Sequence, residues 1–150
     1  MLDTTKEILS LIPHRPPFLF VDKIIDITEI KITTEKKVNS NESFFKGHYP
    51  GNPIMPGVLV CEAVIQSGAI LVFSTYKNSG TSQIGSKGVP VLTRIKDVKF
   101  KNIVRPNDLL LIQVELAEKI GGAYFMKGVA RVNGKVAARL EFAVTSTNVD

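Results

Sequence analysis

Two side chains in this 150-residue chain are placed as a base and an acid would be, His48 and Glu62. The histidine stands in the stretch GHYPGNPIMPG, among Pro50, Gly51, Pro53, Pro56 and Gly57. Proline fixes φ and glycine supplies the turns, so such a loop holds an imidazole in one place. Histidine is also the side chain most readily neutral and basic near neutral pH. Glu62 follows fourteen positions later, the one charged residue in the apolar run VLVCEAVIQSGAILVF. Apolar surroundings push a carboxyl toward its protonated form, which suits it to donate. A stiffly held base and an enclosed acid point to proton-transfer chemistry.

The elements that must carry these groups are legible to different degrees. Between Val58 and Phe73 only Glu62, Gln66 and Ser67 are plainly polar. A helix over about residues 57–76 would be apolar on nearly all faces, and must be buried on nearly all faces. Glu62 and Gln66, four apart, share a face. Gln66 there either orients the carboxylate or packs as an ordinary polar residue. Cys61 lies about 100° round the helix from Glu62 and reads as a small core residue, because a reactive thiol needs an electropositive, partly open setting. Gly57 opens the helix, where unpaired N–H groups and the positive end of the dipole favour developing negative charge. A glycine at that point is equally an ordinary cap.

Thr4 and Glu7 fit a capping box for a short helix ending before Pro13. Residues 20–39 are β-prone and predict two strands or one bent one. Residues 78–88 are a Gly/Ser-rich connection. Beyond them the period becomes two: Leu110, Ile112, Val114, Leu116; then Tyr124, Met126, Ala130, Val132; then Val136, Ala138, Leu140, Phe142, Val144. Gly121-Gly122 and Asn133-Gly134 separate these runs as hairpin turns, and Arg105-Pro106-Asn107-Asp108 marks an earlier turn. The expected class is α+β, a curved antiparallel sheet wrapping one long helix, in a single domain over residues 1–150. Long antiparallel edges invite association, so a dimer is expected.

Composition narrows the function classes. With 44% hydrophobic and 22% charged residues the chain is that of an ordinary globular protein. The N-terminus lacks the pattern of a signal peptide, and the polar interruptions of the long helix make it poor material for a membrane span. One cysteine forbids an intrachain disulfide, no Cys/His cluster has metal-ligand spacing, and a reducing cytoplasm is the expected compartment. Nothing calls for a metal or organic cofactor. The net charge of +5 is densest at Arg94, Lys96, Lys99, Lys101 and Arg105. No nucleic-acid motif accompanies it, leaving a solvated strand face or a dock for an acidic protein.

PHRPPFLFVDKI (13–24) and GHYPGNPIMPGVLVCEAVIQ (47–66) together resemble the 3-hydroxyacyl-[acyl-carrier-protein] dehydratases of bacterial type II fatty-acid synthesis, which have the hot-dog fold. The likeness runs over nearly the whole chain, including IKDVKFKNIVRPNDLL, where Asn107 replaces a usual glycine. The related dehydratase/isomerase branch usually has aspartate where Glu62 stands, and the coenzyme A thioester hydratases have aspartate at the position of Ser43. Both departures favour the plain dehydratase, although some glutamate-bearing members isomerise. The resemblance implies that Glu62 faces a histidine of the other subunit, in a hexamer built as a trimer of dimers, and that acyl carrier protein delivers the substrate.

Dehydration of a 3-hydroxyacyl thioester removes a proton from C2 and expels the C3 hydroxyl as water. It needs a base, an acid and a contact that polarises the thioester carbonyl. His48 is the candidate base, Glu62 the acid or the group that positions the departing water, and the Gly57 N–H the carbonyl contact. In another version His48 performs both proton transfers. Arg15 is a candidate ion partner for Glu62, and His14 and Arg15 would shape the entrance or dock against the loop. Thioester hydrolysis and non-catalytic acyl binding are the competing functions; the second leaves an enclosed Glu62 without purpose.

Overall fold

The structure is a computed structural model that describes residues 4–78 and 88–148. Helix α1 (Thr4–Leu11) leads to strands β1 (Lys23–Ile27) and β2 (Lys31–Lys37). A 3₁₀ turn (Ser43–Lys46) precedes the His48 loop, and α2 (Gly57–Asn78) follows it. Strands β3 (Gly88–Phe100), β4 (Leu109–Ile120), β5 (Ala123–Val132) and β6 (Lys135–Asn148) complete one antiparallel sheet of order β1-β2-β4-β5-β6-β3. The Gly/Ser-rich connection expected over 78–88 lies, apart from its two ends, outside the described residues.

Alternation decides which face of each strand meets the helix. Leu110, Ile112 and Val114 on β4, Tyr124, Met126 and Ala130 on β5, and Ala138, Leu140 and Phe142 on β6 are buried together with α2. On α2 every side chain from Val60 to Phe73 is buried except Glu62. By length and composition alone α2 is apolar enough to cross a membrane, yet it is mostly buried inside the fold. Its apolar faces are instead covered by β2, β4, β5 and β6.

Helix and sheet approach closely where a glycine on one lets a side chain of the other fill its place. A Cβ on Gly128 would lie 2.2 Å from Cγ1 of Val64, and one on Gly68 would lie 2.7 Å from the Phe142 ring. Gly128→Ala therefore overfills the core, and a loss of about 1–3 kcal/mol is expected in chemical denaturation, with the slope of the transition unchanged.

The turns follow their residue types. Asn133 and Gly134 both have positive φ, as the type I′ hairpin needs. Asn107 adopts φ 72°, a conformation asparagine tolerates better than other side-chain-bearing residues. That is why it substitutes for glycine in the Arg105–Asp108 turn.

Strand β3 was legible only through the resemblance. It lies at the sheet edge, its side chains from Val91 to Asp97 are exposed, and its pairing with β6 shifts register twice. Residues at such irregularities lose the period-two signature. Leu92, Ile95 and Phe100 are exposed apolar side chains of this edge, and beside Phe100 stand Val58 and Ile103, also exposed.

Candidate active site

The His48 loop is fixed at several points. The His48 N–H donates to the Phe44 carbonyl, Tyr49 and Asn52 exchange both backbone bonds, and the Met55 N–H donates to Val104. Upstream, the buried Lys36 ammonium lies 2.8 Å from the Glu42 carboxylate, tying β2 to the 3₁₀ turn. The His48 ring stacks on Tyr49 with centroids 4.1 Å apart. Its Nδ1 is 2.7 Å from the Ile54 carbonyl oxygen. A carbonyl only accepts, so Nδ1 carries the proton and Nε2 presents the lone pair. The loop thus fixes both the place and the tautomer of a base.

Glu62 sits one turn into α2 with 22% of its side chain exposed. Its Oε1 accepts from Gln66 Nε2 at 3.0 Å and lies 3.6 Å from His14 Nε2. Both readings of Gln66 hold at once. Besides orienting Glu62, its amide donates to the Phe18 carbonyl and accepts from the Phe20 N–H, pinning residues 18–20 to α2. Arg15 is not the partner of Glu62. Its guanidinium donates to the carbonyls of Leu9, Ile12 and His14, closing the end of α1. His14 takes the place that charge alone would have assigned to Arg15, because those carbonyls hold the arginine.

The two sequence motifs meet in space. Phe18, Phe20, Phe44 and Phe45 form a continuous string of ring contacts from the N-terminal motif to the turn before His48. His48 and Glu62 themselves share no hydrogen bond or ion pair within the chain.

Gly57 begins α2, and its N–H makes no hydrogen bond among the described residues. A Cβ there would lie 2.8 Å from the Phe100 ring. An apolar groove of about 360 Å³ adjoins it, lined by Val58, Val60, Phe100, Ile103 and Val104 among others. Cys61 is buried, and burial pushes its thiol pKa up, as suits an inert core residue. A larger hollow of about 630 Å³ lies across β2, β4, β5, β6 and β3 and contains none of these residues. Among the described residues no three metal-binding side chains are gathered together.

A FabA-like domain is matched over residues 12–141. The 3-hydroxyacyl-[acyl-carrier-protein] dehydratase FabZ of Oceanobacillus iheyensis is 43% identical, over 96% of this chain and 99% of the relative. That of Caldicellulosiruptor saccharolyticus is 44% identical, over 94% and 96%. The chain belongs to the FabZ dehydratase family. Among solved structures, the dehydratase heterocomplex ApeI:P of Xenorhabdus doucetiae superposes with a TM-score of 0.79 at 14% identity, over 94% of this chain and 91% of that one. A hypothetical thioesterase with coenzyme A from Streptococcus pneumoniae superposes at 0.63 and 16%, over 97% and 95%. At those identities the likeness is one of fold, the hot-dog fold.

Sequence reasoning quoted His14 and the Phe18–Phe20 stretch but gave them no contact with Glu62. The missing step is the fold of the N-terminal motif over α2, a contact between residues 46–48 positions apart that no local period encodes.

Proposed function

We propose that this chain, as one domain over residues 1–150, converts 3-hydroxyacyl-[acyl-carrier-protein] to the trans-2-enoyl form in fatty-acid elongation. The observation that carries the reading is the His48 tautomer. With Nδ1–H bonded to Ile54, Nε2 is the nitrogen free to take the C2 proton. Glu62 protonates the departing C3 hydroxyl or holds the water it becomes. The Gly57 N–H, unpaired at a helix start, receives the negative charge that builds on the thioester oxygen.

The acid and base belong to different subunits in this reading. An edge strand with exposed Leu92, Ile95 and Phe100, flanked by Val58 at 73% exposure, is the surface that a second copy covers. Pairing there brings one subunit's His48 to the other's Glu62, and three such dimers form the hexamer. The enzyme works in the cytoplasm without metal or organic cofactor.

The test is a single assay of one 3-hydroxyacyl-carrier-protein substrate, followed for enoyl absorbance and for free thiol. Enoyl product without thiol release is expected; thiol release without enoyl product would replace dehydration by thioester hydrolysis. Docking of the acidic carrier falls to Lys96, Lys99 and Lys101, all three exposed on and beside β3. Reversing these three charges is expected to raise KM about tenfold at low salt with kcat unchanged, the gap narrowing as salt rises. An unchanged KM at low salt would remove these lysines from the docking surface.

A further inference from the structure

The loop between α1 and β1 holds a second histidine beside the acid, and the reaction as derived so far gives it no task. His14 is partly buried, and its Nδ1 is sealed from solvent without a hydrogen-bond partner. Nε2, on the other side of the ring, lies 3.6 Å from Oε1 of Glu62, a charge–dipole contact beyond hydrogen-bond range. The same Oε1 accepts the Gln66 amide at 3.0 Å, whereas Oε2 has no partner among the described residues. The backbone on both sides of His14 is anchored, by Arg15 to the α1 carbonyls and by Gln66 to residues 18 and 20. This is a built arrangement: two side chains converge on one oxygen of a carboxylate and leave the other open.

We propose that His14 is a positioning residue for the reaction, holding Oε1 of Glu62 together with Gln66 so that Oε2 alone faces the substrate. The proposal rests on the role given to Glu62 above. Neutral His14 carries its proton on Nε2, because that nitrogen faces a carboxylate oxygen, whereas Nδ1 has no partner in either state. Its pKa is lowered, first by burial and further by Arg15, against an opposing pull from Glu62, so the neutral form prevails at neutral pH. A neutral donor steadies the carboxyl group while adding no full positive charge. An imidazolium in its place would bind the carboxylate form far more strongly and oppose its protonation.

The experiment compares His14→Phe and His14→Gln in turnover of a 3-hydroxyacyl-carrier-protein substrate, each also in a Glu62→Ala background. Phenylalanine keeps the ring volume and removes the donor; glutamine extends an amide N–H to about the reach of Nε2. His14→Phe is expected to lower kcat about tenfold with KM within about twofold, and His14→Gln to restore most of the rate. In the Glu62→Ala background neither substitution should lower the residual rate further. Should the phenylalanine variant fail to fold, His14→Asn, whose amide ends near the Nδ1 position, is expected to lose as much. Four results overturn the role: wild-type kcat in His14→Phe, equal losses in the phenylalanine and glutamine variants, a loss confined to KM, or a full additive loss without Glu62. A Glu62→Ala enzyme at the wild-type rate overturns the Glu62 assignment itself. An impaired Glu62→Ala beside an unimpaired His14→Phe removes only His14.

Discussion

His48→Ala is expected to lower kcat for 3-hydroxyacyl-carrier-protein dehydration by about a thousandfold, within the range that a positioned acid–base group contributes. The loss should fall on kcat more than on KM, since the imidazole meets the C2 proton as it leaves and adds little to ground-state binding. Folding should survive. The substitution removes one hydrogen bond, from Nδ1 to the Ile54 carbonyl, and one ring stack on Tyr49. A lost neutral hydrogen bond costs about 1 kcal/mol, and the loop retains its backbone bonds at Phe44, Asn52 and Val104. Stopped-flow enoyl absorbance together with a thermal melt decides the matter. A folded variant with near-wild-type turnover would show that the base lies elsewhere.

Glu62→Ala is expected to be similarly inactive by itself, and the second large effect comes from mixing it with His48→Ala. If each site takes His48 from one subunit and Glu62 from the other, a mixed dimer contains one intact site and one that lacks both groups. Random reassortment of equal amounts then restores about a quarter of wild-type activity from two inactive preparations. The physical ground is that His48 and Glu62 share no hydrogen bond or ion pair within one chain, while the edge beside Gly57 stays open and apolar. Chains should be mixed in mild denaturant and dialysed before assay; activity that stays at the level of the separate variants would place base and acid in the same subunit. Glu62→Gln adds a finer reading. Glutamine can hold a water but cannot give up a proton at this step, so an inactive Glu62→Gln assigns proton donation, and an active one assigns water positioning.

How far the sequence could be read depended on the range of the interaction behind each feature. The β4, β5 and β6 pattern was plain because a strand with one buried face must alternate, and Ile112, Met126 and Leu140 do. The long helix was plain for a related reason: only enclosure tolerates apolar side chains on every face. Its Gly68, and Gly128 on the sheet, showed no such signal, since each makes room for a side chain, Phe142 and Val64, that lies far away in the chain. β3 hid its period because it lies exposed at the sheet edge and its register slips twice.

The site divides along the same line. The residue types and order within residues 47–66 by themselves determined a rigid histidine, an acid on an apolar helix and a glycine at the helix start. Each of these follows from backbone freedom or helical period within about twenty residues. Tertiary structure alone decided which atoms those groups offer. The Ile54 carbonyl sets the proton on His48 Nδ1; the folding of the N-terminal motif over α2 brings Gln66 and His14, not Arg15, to one oxygen of Glu62. Tautomers and carboxylate oxygens are chosen by neighbours in space, whose identity depends on the closed fold and not on local spacing.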